Sequence, residues 1–127
     1  MAFLHTMIRV KNAQNSMKFY QELFGFELEE KRRLEDCWLY FLSDKSKTVQ
    51  IELTENDETP ENGYNIGTGF GHFAFSVESM EKFTEKMKGL GYEYLYEPFD
   101  LTGKGSKIAF MNDPDGYEIE LIEKVEW

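Results

Sequence analysis

The sequence predicts an α+β fold made of two tandem βαβββ modules, and an internal repeat is the main reason. The segment FLHTMIRV, Phe3 to Val10, matches FGHFAFSV, Phe70 to Val77, position by position. Each copy is followed by a segment with helical periodicity and then by three short segments with the length and alternation of strands. The repeats span about residues 2–53 and 70–123, and a polar loop at 54–69 joins them within a single domain, 1–127.

The first repeat begins with a strand over residues 2–10, where His5 and Arg9 share one face. A helix follows, with Asn12 as its N-cap and Gly25 at its end. Its apolar side chains recur at helical spacing at Ala13, Met17, Tyr20, Leu23 and Phe24. The three predicted strands of this repeat cover Phe26 to Lys31, Cys37 to Leu42 and Thr48 to Leu53.

The second repeat has the same order of elements. Ser79 is the predicted N-cap of its helix, and Gly91 ends it. Three strands are predicted near Tyr92 to Tyr96, Ser106 to Met111 and Tyr117 to Glu123. The last strand follows a tight turn, because Asp113, Pro114, Asp115 and Gly116 are residues that β-turns favour. Alternation then places Glu120 on the face opposite Ile119 and Leu121.

Composition restricts the possible partners. The formal charge is −10, from 14 basic and 24 acidic residues, which argues against nucleic acid or an anionic membrane as the main partner. The chain shows no signal-peptide pattern and no apolar run near 18 residues. Its one cysteine, Cys37, cannot form an intrachain disulfide. We therefore expect a soluble cytoplasmic protein.

The two histidines occupy equivalent places in the repeats. His5 and His72 are each the third residue of a repeat's first strand, and Glu52 and Glu120 lie in the last strands, 47 and 48 residues later. If a pseudo-twofold axis relates the repeats, these four side chains converge on one curved, eight-stranded mixed sheet. Two imidazoles and two carboxylates suit a divalent first-row metal. Glu120 considered alone would be an ordinary solvated carboxylate.

Four segments of the chain then show a family resemblance. The segments LHTMIRV, IELTEN, YNIGTGFGHFAFSV and IAFMNDPDGYEIELIE together resemble glyoxalase I (lactoylglutathione lyase) of the vicinal oxygen chelate superfamily, over about residues 3–123. The resemblance implies the paired βαβββ fold and the metal ligands His5, Glu52, His72 and Glu120. It also implies isomerisation of the hemithioacetal of methylglyoxal and a thiol, most simply glutathione, to an S-lactoyl thioester through an enediolate. Glu120 would move the proton, and Glu52 would be the opposing carboxylate.

The resemblance also suggests substrate contacts, a metal and an assembly. Arg9 corresponds to the arginine that pairs with the γ-glutamyl carboxylate of glutathione, and Asn56 corresponds to a nearby amide-bearing contact. Lys104, or alternatively Lys107, corresponds to a contact of the glycine carboxylate. The absence of long insertions and of an N-terminal extension favours one Ni(II) or Co(II) ion per site, with Zn(II) as the alternative. Family members are commonly homodimers. The thiol, and whether one chain or two form a site, are left open.

Two other functions compete with this prediction. Another enzyme of the superfamily is one alternative, but acyl-CoA epimerases usually carry Gln at the place of Glu52. Ring-cleaving dioxygenases and fosfomycin-modifying enzymes use three ligands, with a different residue there. The other alternative is a metal-free module that binds small molecules. The presence of all four potential ligands argues against that alternative.

Overall fold

The structure of the protein is a computed structural model that describes residues 1–123 of the chain. The chain divides into two compact units, residues 1–65 and residues 66–127. Each unit contains one βαβββ module, so the α+β class and the two modules are confirmed. No helix within residues 1–123 is long and apolar enough to cross a membrane.

The first module has a four-stranded mixed sheet. Its elements are β1 (His5–Arg9), α1 (Ala13–Phe24), β2 (Glu27–Arg33), β3 (Cys37–Ser43) and β4 (Gln50–Asn56). The strand order is β1-β4-β3-β2, in which β1 and β4 are parallel and the other pairs are antiparallel. Helix α1 begins where predicted, because the Asn12 side chain accepts the N–H of Asn15. It ends at Gly25, whose φ of 69° is left-handed.

The second module repeats this arrangement. Its elements are β5 (His72–Ser76), α2 (Met80–Gly89), β6 (Tyr96–Asp100), β7 (Lys107–Asn112) and β8 (Glu118–Glu123). The strand order is β5-β8-β7-β6, with β5 and β8 parallel. The Ser79 side chain accepts the N–H of Lys82 and caps helix α2. Residues 1–123 thus contain two hydrogen-bonded sheets of four strands each.

In each module one face of the sheet is covered by that module's helix. Helix α1 lies against β4, and helix α2 lies against β8. Ile51 and Leu53 are buried on the covered face of the first sheet, as Ile119 and Leu121 are on that of the second. Strand alternation directs the intervening residues to the opposite side, which we call the helix-free face. Both predicted glutamates lie on this face of their sheets.

The prediction of a strand at Tyr92 to Tyr96 is wrong, since β6 begins only at Tyr96. Helix α2 ends in a Schellman turn, in which the N–H of Tyr92 bonds the Met87 carbonyl and that of Gly91 bonds the Lys88 carbonyl. The chain then returns to the helix, because the Tyr94 hydroxyl lies 2.6 Å from Thr84 Oγ1. These contacts use the residues that alternation alone would have placed in a strand.

The predicted loop at 54–69 begins too early. Strand β4 continues to Asn56, and residues 54–56 pair with Leu39, Trp38 and Cys37 of β3. Polar side chains at these positions had favoured a loop. The strand persists because backbone pairing with β3 does not depend on side-chain polarity, so Thr54 and Asn56 extend the helix-free face of the sheet.

Candidate functional site

His5 and Glu52 form the first of two histidine–glutamate pairs. Strand β1 runs parallel to β4 with His5 opposite Gln50, so that Glu52 lies one diagonal step further along the same face. His5 Nε2 is 3.3 Å from Glu52 Oε1. The imidazole is about one third exposed, whereas the carboxylate is only 13% exposed. The edge strand β1 and its parallel neighbour β4 are therefore sufficient to bring these side chains together.

His72 and Glu120 form the equivalent pair in the second module. His72 lies opposite Glu118 in the parallel register of β5 and β8, and Glu120 is again one diagonal step away. The distance from His72 Nε2 to Glu120 Oε2 is 3.8 Å. The Glu120 carboxylate is 15% exposed, much like that of Glu52. The internal repeat thus places the same two groups in the same geometry twice.

An aromatic ring lies against the histidine of each pair, and neither ring was predicted from the sequence. Phe41 of β3 lies opposite Glu52 and contacts the His5 ring edge-on, with centroids 5.6 Å apart. Phe110 of β7 lies opposite Glu120 and contacts the His72 ring in the same way, at 5.5 Å. The signal was present in the repeat, because each phenylalanine precedes its glutamate by ten or eleven residues.

The geometry of each pair is compatible with two ligands of one metal ion. Ligand atoms about 2.1 Å from an ion lie about 3.0 Å apart at a right angle and about 3.4 Å apart at the tetrahedral angle. The 3.3 Å between His5 and Glu52 falls in this range, and the 3.8 Å between His72 and Glu120 needs a small side-chain adjustment. Imidazole nitrogen and carboxylate oxygen are donors that Zn, Ni and Co accept. No cluster of three or more such donors occurs within residues 1–123, so each pair supplies two.

Arg9 and Asn56, two of the predicted substrate contacts, lie at the same end of the first sheet. Arg9 is opposite Thr54 in the register of β1 and β4, and Asn56 follows two residues later on the same face. The Asn56 amide Nδ2 donates to the Tyr64 hydroxyl at 3.0 Å. Tyr64 belongs to the segment between the modules, so this bond ties that segment to the end of β4.

Lys104 and Lys107 have different positions. Lys104 is exposed in the loop after β6, which folds around the Asp100 carboxylate. Asp100 Oδ1 accepts the N–H groups of Thr102 and Gly103 at 3.2 and 2.8 Å, and Oδ2 accepts that of Gly105 at 2.9 Å. These bonds, chiefly that from Gly105, hold the pKa of Asp100 below its usual value. Lys107 is exposed in β7, and alternation directs it to the face opposite Phe110.

The chain matches a known protein family over nearly its whole length. The family model of the Glyoxalase/Bleomycin resistance protein/Dioxygenase superfamily matches residues 2–121. The chain is 40% identical, over 127 residues, to a lactoylglutathione lyase of Arabidopsis thaliana, with 96% of this chain and 44% of the plant protein covered. It is 38% identical to a probable lactoylglutathione lyase of Synechocystis, covering 97% of this chain and 95% of that protein.

A solved structure shows the same relationship. Glyoxalase I from Zea mays superimposes with a TM-score of 0.86 at 36% identity, covering 98% of this chain and 45% of that one. The chain therefore spans less than half the length of these plant relatives and nearly the full length of the Synechocystis protein. On the family match and on these identities, the chain belongs to the Glyoxalase/Bleomycin resistance protein/Dioxygenase superfamily and, within it, to the lactoylglutathione lyase (glyoxalase I) family.

Proposed function

We propose that this protein isomerises the hemithioacetal of methylglyoxal and glutathione to S-lactoylglutathione and thereby removes methylglyoxal. The observation that carries the proposal is the histidine–glutamate pair, which recurs at the same register in both modules. Relatives that bear the name lactoylglutathione lyase match nearly the whole chain. A carbon–sulfur lyase of this type needs a metal, a mobile proton and an anion-binding surface, and the chain offers candidates for each.

His5, Glu52, His72 and Glu120 are the proposed ligands of one divalent ion. The donor atoms within each pair are spaced closely enough to share an ion. Ni(II) or Co(II) is the favoured metal and Zn(II) the alternative. Imidazole nitrogen and carboxylate oxygen can bind all three. When bound, the ion acts as a Lewis acid toward the negative charge that develops on the substrate oxygens, a contribution of several kcal/mol.

Glu120 is the proposed proton carrier. Its carboxylate removes the proton from the carbon that bears sulfur and returns it to the neighbouring carbonyl carbon. The hydroxyl proton passes from the oxygen of the first carbon to that of the second, so the product has the composition of the substrate. Such a group must reach both carbons within hydrogen-bond distance. Glu52 is the proposed opposing carboxylate. The 13% and 15% exposure of the two groups limits the access of water to the proton while it is on the enzyme.

The glutathione adduct is anionic and the chain has a formal charge of −10, so cationic side chains near the site would be needed to bind it. Arg9 is the proposed contact of the γ-glutamyl carboxylate and Asn56 a nearby substrate contact, and both lie on the same sheet face as His5 and Glu52. Lys104 is the proposed contact of the glycine carboxylate, with Lys107 as the alternative. Of the two, Lys104 is supported by its place on a loop that Asp100 organises. The proposed assembly is a homodimer.

The test combines metal analysis with a turnover assay. The purified protein is analysed for bound metal and then assayed for thioester formation from methylglyoxal and glutathione, after removal of metal and after addition of Ni(II), Co(II) or Zn(II). We expect activity that chelation abolishes and Ni(II) or Co(II) restores best. A protein that binds metal but forms no thioester from methylglyoxal with glutathione or another small thiol would refute the proposed reaction.

A further inference from the structure

The two glutamates differ in one hydrogen bond. Thr54 Oγ1 donates to Glu52 Oε2 at 3.1 Å. The threonine is only 6% exposed, and a buried hydroxyl of this kind is costly to leave without a partner. Strand alternation places Thr54 on the same face as Glu52, two residues further along β4. The bond is therefore a consequence of strand geometry and of the residue type at position 54.

The second module has Ile122 at the equivalent position, two residues after Glu120 in β8. An isoleucine side chain has no group that can donate a hydrogen bond to a carboxylate. The carboxylates are otherwise in similar surroundings, because each contacts a histidine of the parallel neighbour and lies opposite a phenylalanine. The Thr54 hydroxyl thus gives Glu52 a hydrogen bond that Ile122 cannot give Glu120.

Both oxygens of the Glu52 carboxylate have a partner. Oε1 faces the His5 imidazole at 3.3 Å, while Oε2 accepts from Thr54, so the carboxylate is oriented at both ends. Glu120 has contact with His72 at one oxygen, at the longer distance of 3.8 Å. The neighbouring strand adds to the contrast. Met7 lies opposite Glu52, whereas the smaller Ala74 lies opposite Glu120.

We infer that Thr54 is a positioning residue that orients Glu52 as a metal ligand, and that Ile122 leaves Glu120 the mobile carboxylate of the pair. The inference rests on the proposed function, since it assigns the two glutamates different tasks in the same reaction. A side chain that is already oriented binds a metal ion more tightly, because less rotamer entropy is lost when the ion binds. A proton carrier must instead change its orientation between two carbon atoms.

The first test measures metal affinity, which does not depend on turnover. Ni(II) is titrated calorimetrically into the metal-free full chain of the wild type, Thr54→Val and Thr54→Ser. Removing a group that orients a metal ligand typically weakens binding by about 10-fold to 100-fold, and we expect a loss in this range for Thr54→Val. Thr54→Ser keeps the hydroxyl and should bind within about 3-fold of the wild type.

Two further variants separate orientation from structural damage. Thr84→Val removes a hydroxyl that bonds the Met80 carbonyl and lies beside the Tyr94 hydroxyl. Thr84 is in helix α2, on the opposite side of the second sheet from His72 and Glu120. It should lower the thermal midpoint without changing Ni(II) affinity. If Thr54→Val does not fold, Thr54→Ala is titrated in its place, with the same expected loss.

The second test adds a hydroxyl beside Glu120. Ile122→Thr, with Ile122→Val as the control for volume, is assayed with saturating Ni(II). A hydrogen bond from the new hydroxyl would stabilise the ionised Glu120 carboxylate. If Glu120 must take up a proton during turnover, kcat of Ile122→Thr should fall about 10-fold. Ile122→Val adds no hydroxyl and should have no such effect. The same kcat in Ile122→Thr and Ile122→Val would contradict the part of the inference that concerns Glu120.

The outcomes distinguish the inference from the proposed function. A wild-type chain that binds none of Ni(II), Co(II) and Zn(II) would refute the proposed metal centre, and the role of Thr54 with it. If the wild type binds Ni(II) and Thr54→Val binds it equally well, only the role of Thr54 is refuted. Weak binding in Thr54→Ser, equal to that in Thr54→Val, would also refute it, because the hydroxyl would then not be the important group.

Discussion

Glu55 Oε2 accepts the backbone N–H of Ala13, the first residue of helix α1, at 2.7 Å. The second module repeats this contact between Glu123 Oε2 and the N–H of Met80, the first residue of α2. Each glutamate lies three residues after the proposed ligand of its strand, and alternation therefore directs it to the opposite, helix-covered face. The last strand of each module thus carries the glutamate of the histidine–glutamate pair on one face and the acceptor for the helix N-terminus on the other.

These contacts predict a graded loss of stability. Glu55→Gln keeps an acceptor but removes the charge that favours a helix N-terminus, so the free energy of unfolding should fall by about 0.3–1 kcal/mol. Glu55→Met removes the acceptor as well and should cost about 1–2 kcal/mol. Urea unfolding measures both. Glu22→Gln makes the same charge change near the other end of α1 and should not destabilise; an equal loss there would contradict a capping role.

Replacement of Glu120 by glutamine should abolish turnover while most of the metal is retained. An amide cannot carry a proton between two carbons, and general acid–base groups typically contribute about 100-fold to 10,000-fold. Thioester formation and bound metal are measured on the same preparation. Glu118→Gln is the matched control, since Glu118 lies on the same face of β8 two residues earlier. Full activity in Glu120→Gln would contradict the proposed role.

Replacement of Arg9 by alanine should raise KM more than it lowers kcat. Its proposed contact is with a part of the substrate that does not react, so the substrate and the transition state should lose the same binding energy. Steady-state kinetics with glutathione separate the two constants. Lys18→Ala removes the same charge from an exposed position in helix α1 and should leave KM unchanged. An unchanged KM in Arg9→Ala would remove Arg9 from the proposed substrate contacts.

Added metal should stabilise the folded protein. A ligand that binds only the folded state contributes about 2.7 kcal/mol at a free concentration of 100 times Kd, so Ni(II) should raise the thermal midpoint and a chelator should reverse the rise. His5→Ala and His72→Ala should each reduce the shift, because each removes one of the proposed ligands. A midpoint that responds to neither Ni(II) nor chelator would argue against a metal centre in the wild type.

The loop that carries Lys104 should depend on the charge of Asp100. Backbone N–H groups, first that of Gly105 and then that of Gly103, hold the pKa of this carboxyl below 3.8. A lowered pKa in the folded state means that the contribution to stability is complete above pH 3.8 and is lost as the pH falls through the folded value. The amide NMR signals of Gly103 and Gly105 should therefore titrate with a midpoint below pH 3.8. In Asp100→Asn they should show no such titration.

Features that depend on neighbouring residues could be predicted well. Asn12 and Ser79 cap their helices as expected, because a cap needs only the three residues that follow it. The turn from Asp113 to Gly116 forms for the same reason, with the Gly116 N–H bonded to the Asp113 carbonyl. Strand alternation also placed Glu120 on the correct face, opposite Ile119 and Leu121, since its period of two does not depend on which strands are neighbours.

The sequence by itself therefore determined the caps, the alternating faces, the two modules and the repeated histidine and glutamate positions. Only the tertiary structure decided which residues meet: Phe41 with His5, Phe110 with His72, Thr54 with Glu52, and Tyr94 with Thr84 in place of a strand pair. The physical reason is that caps, turns and alternation depend on neighbours within a few residues. Cross-strand and helix contacts depend on register, which is set by pairing and burial over the whole module.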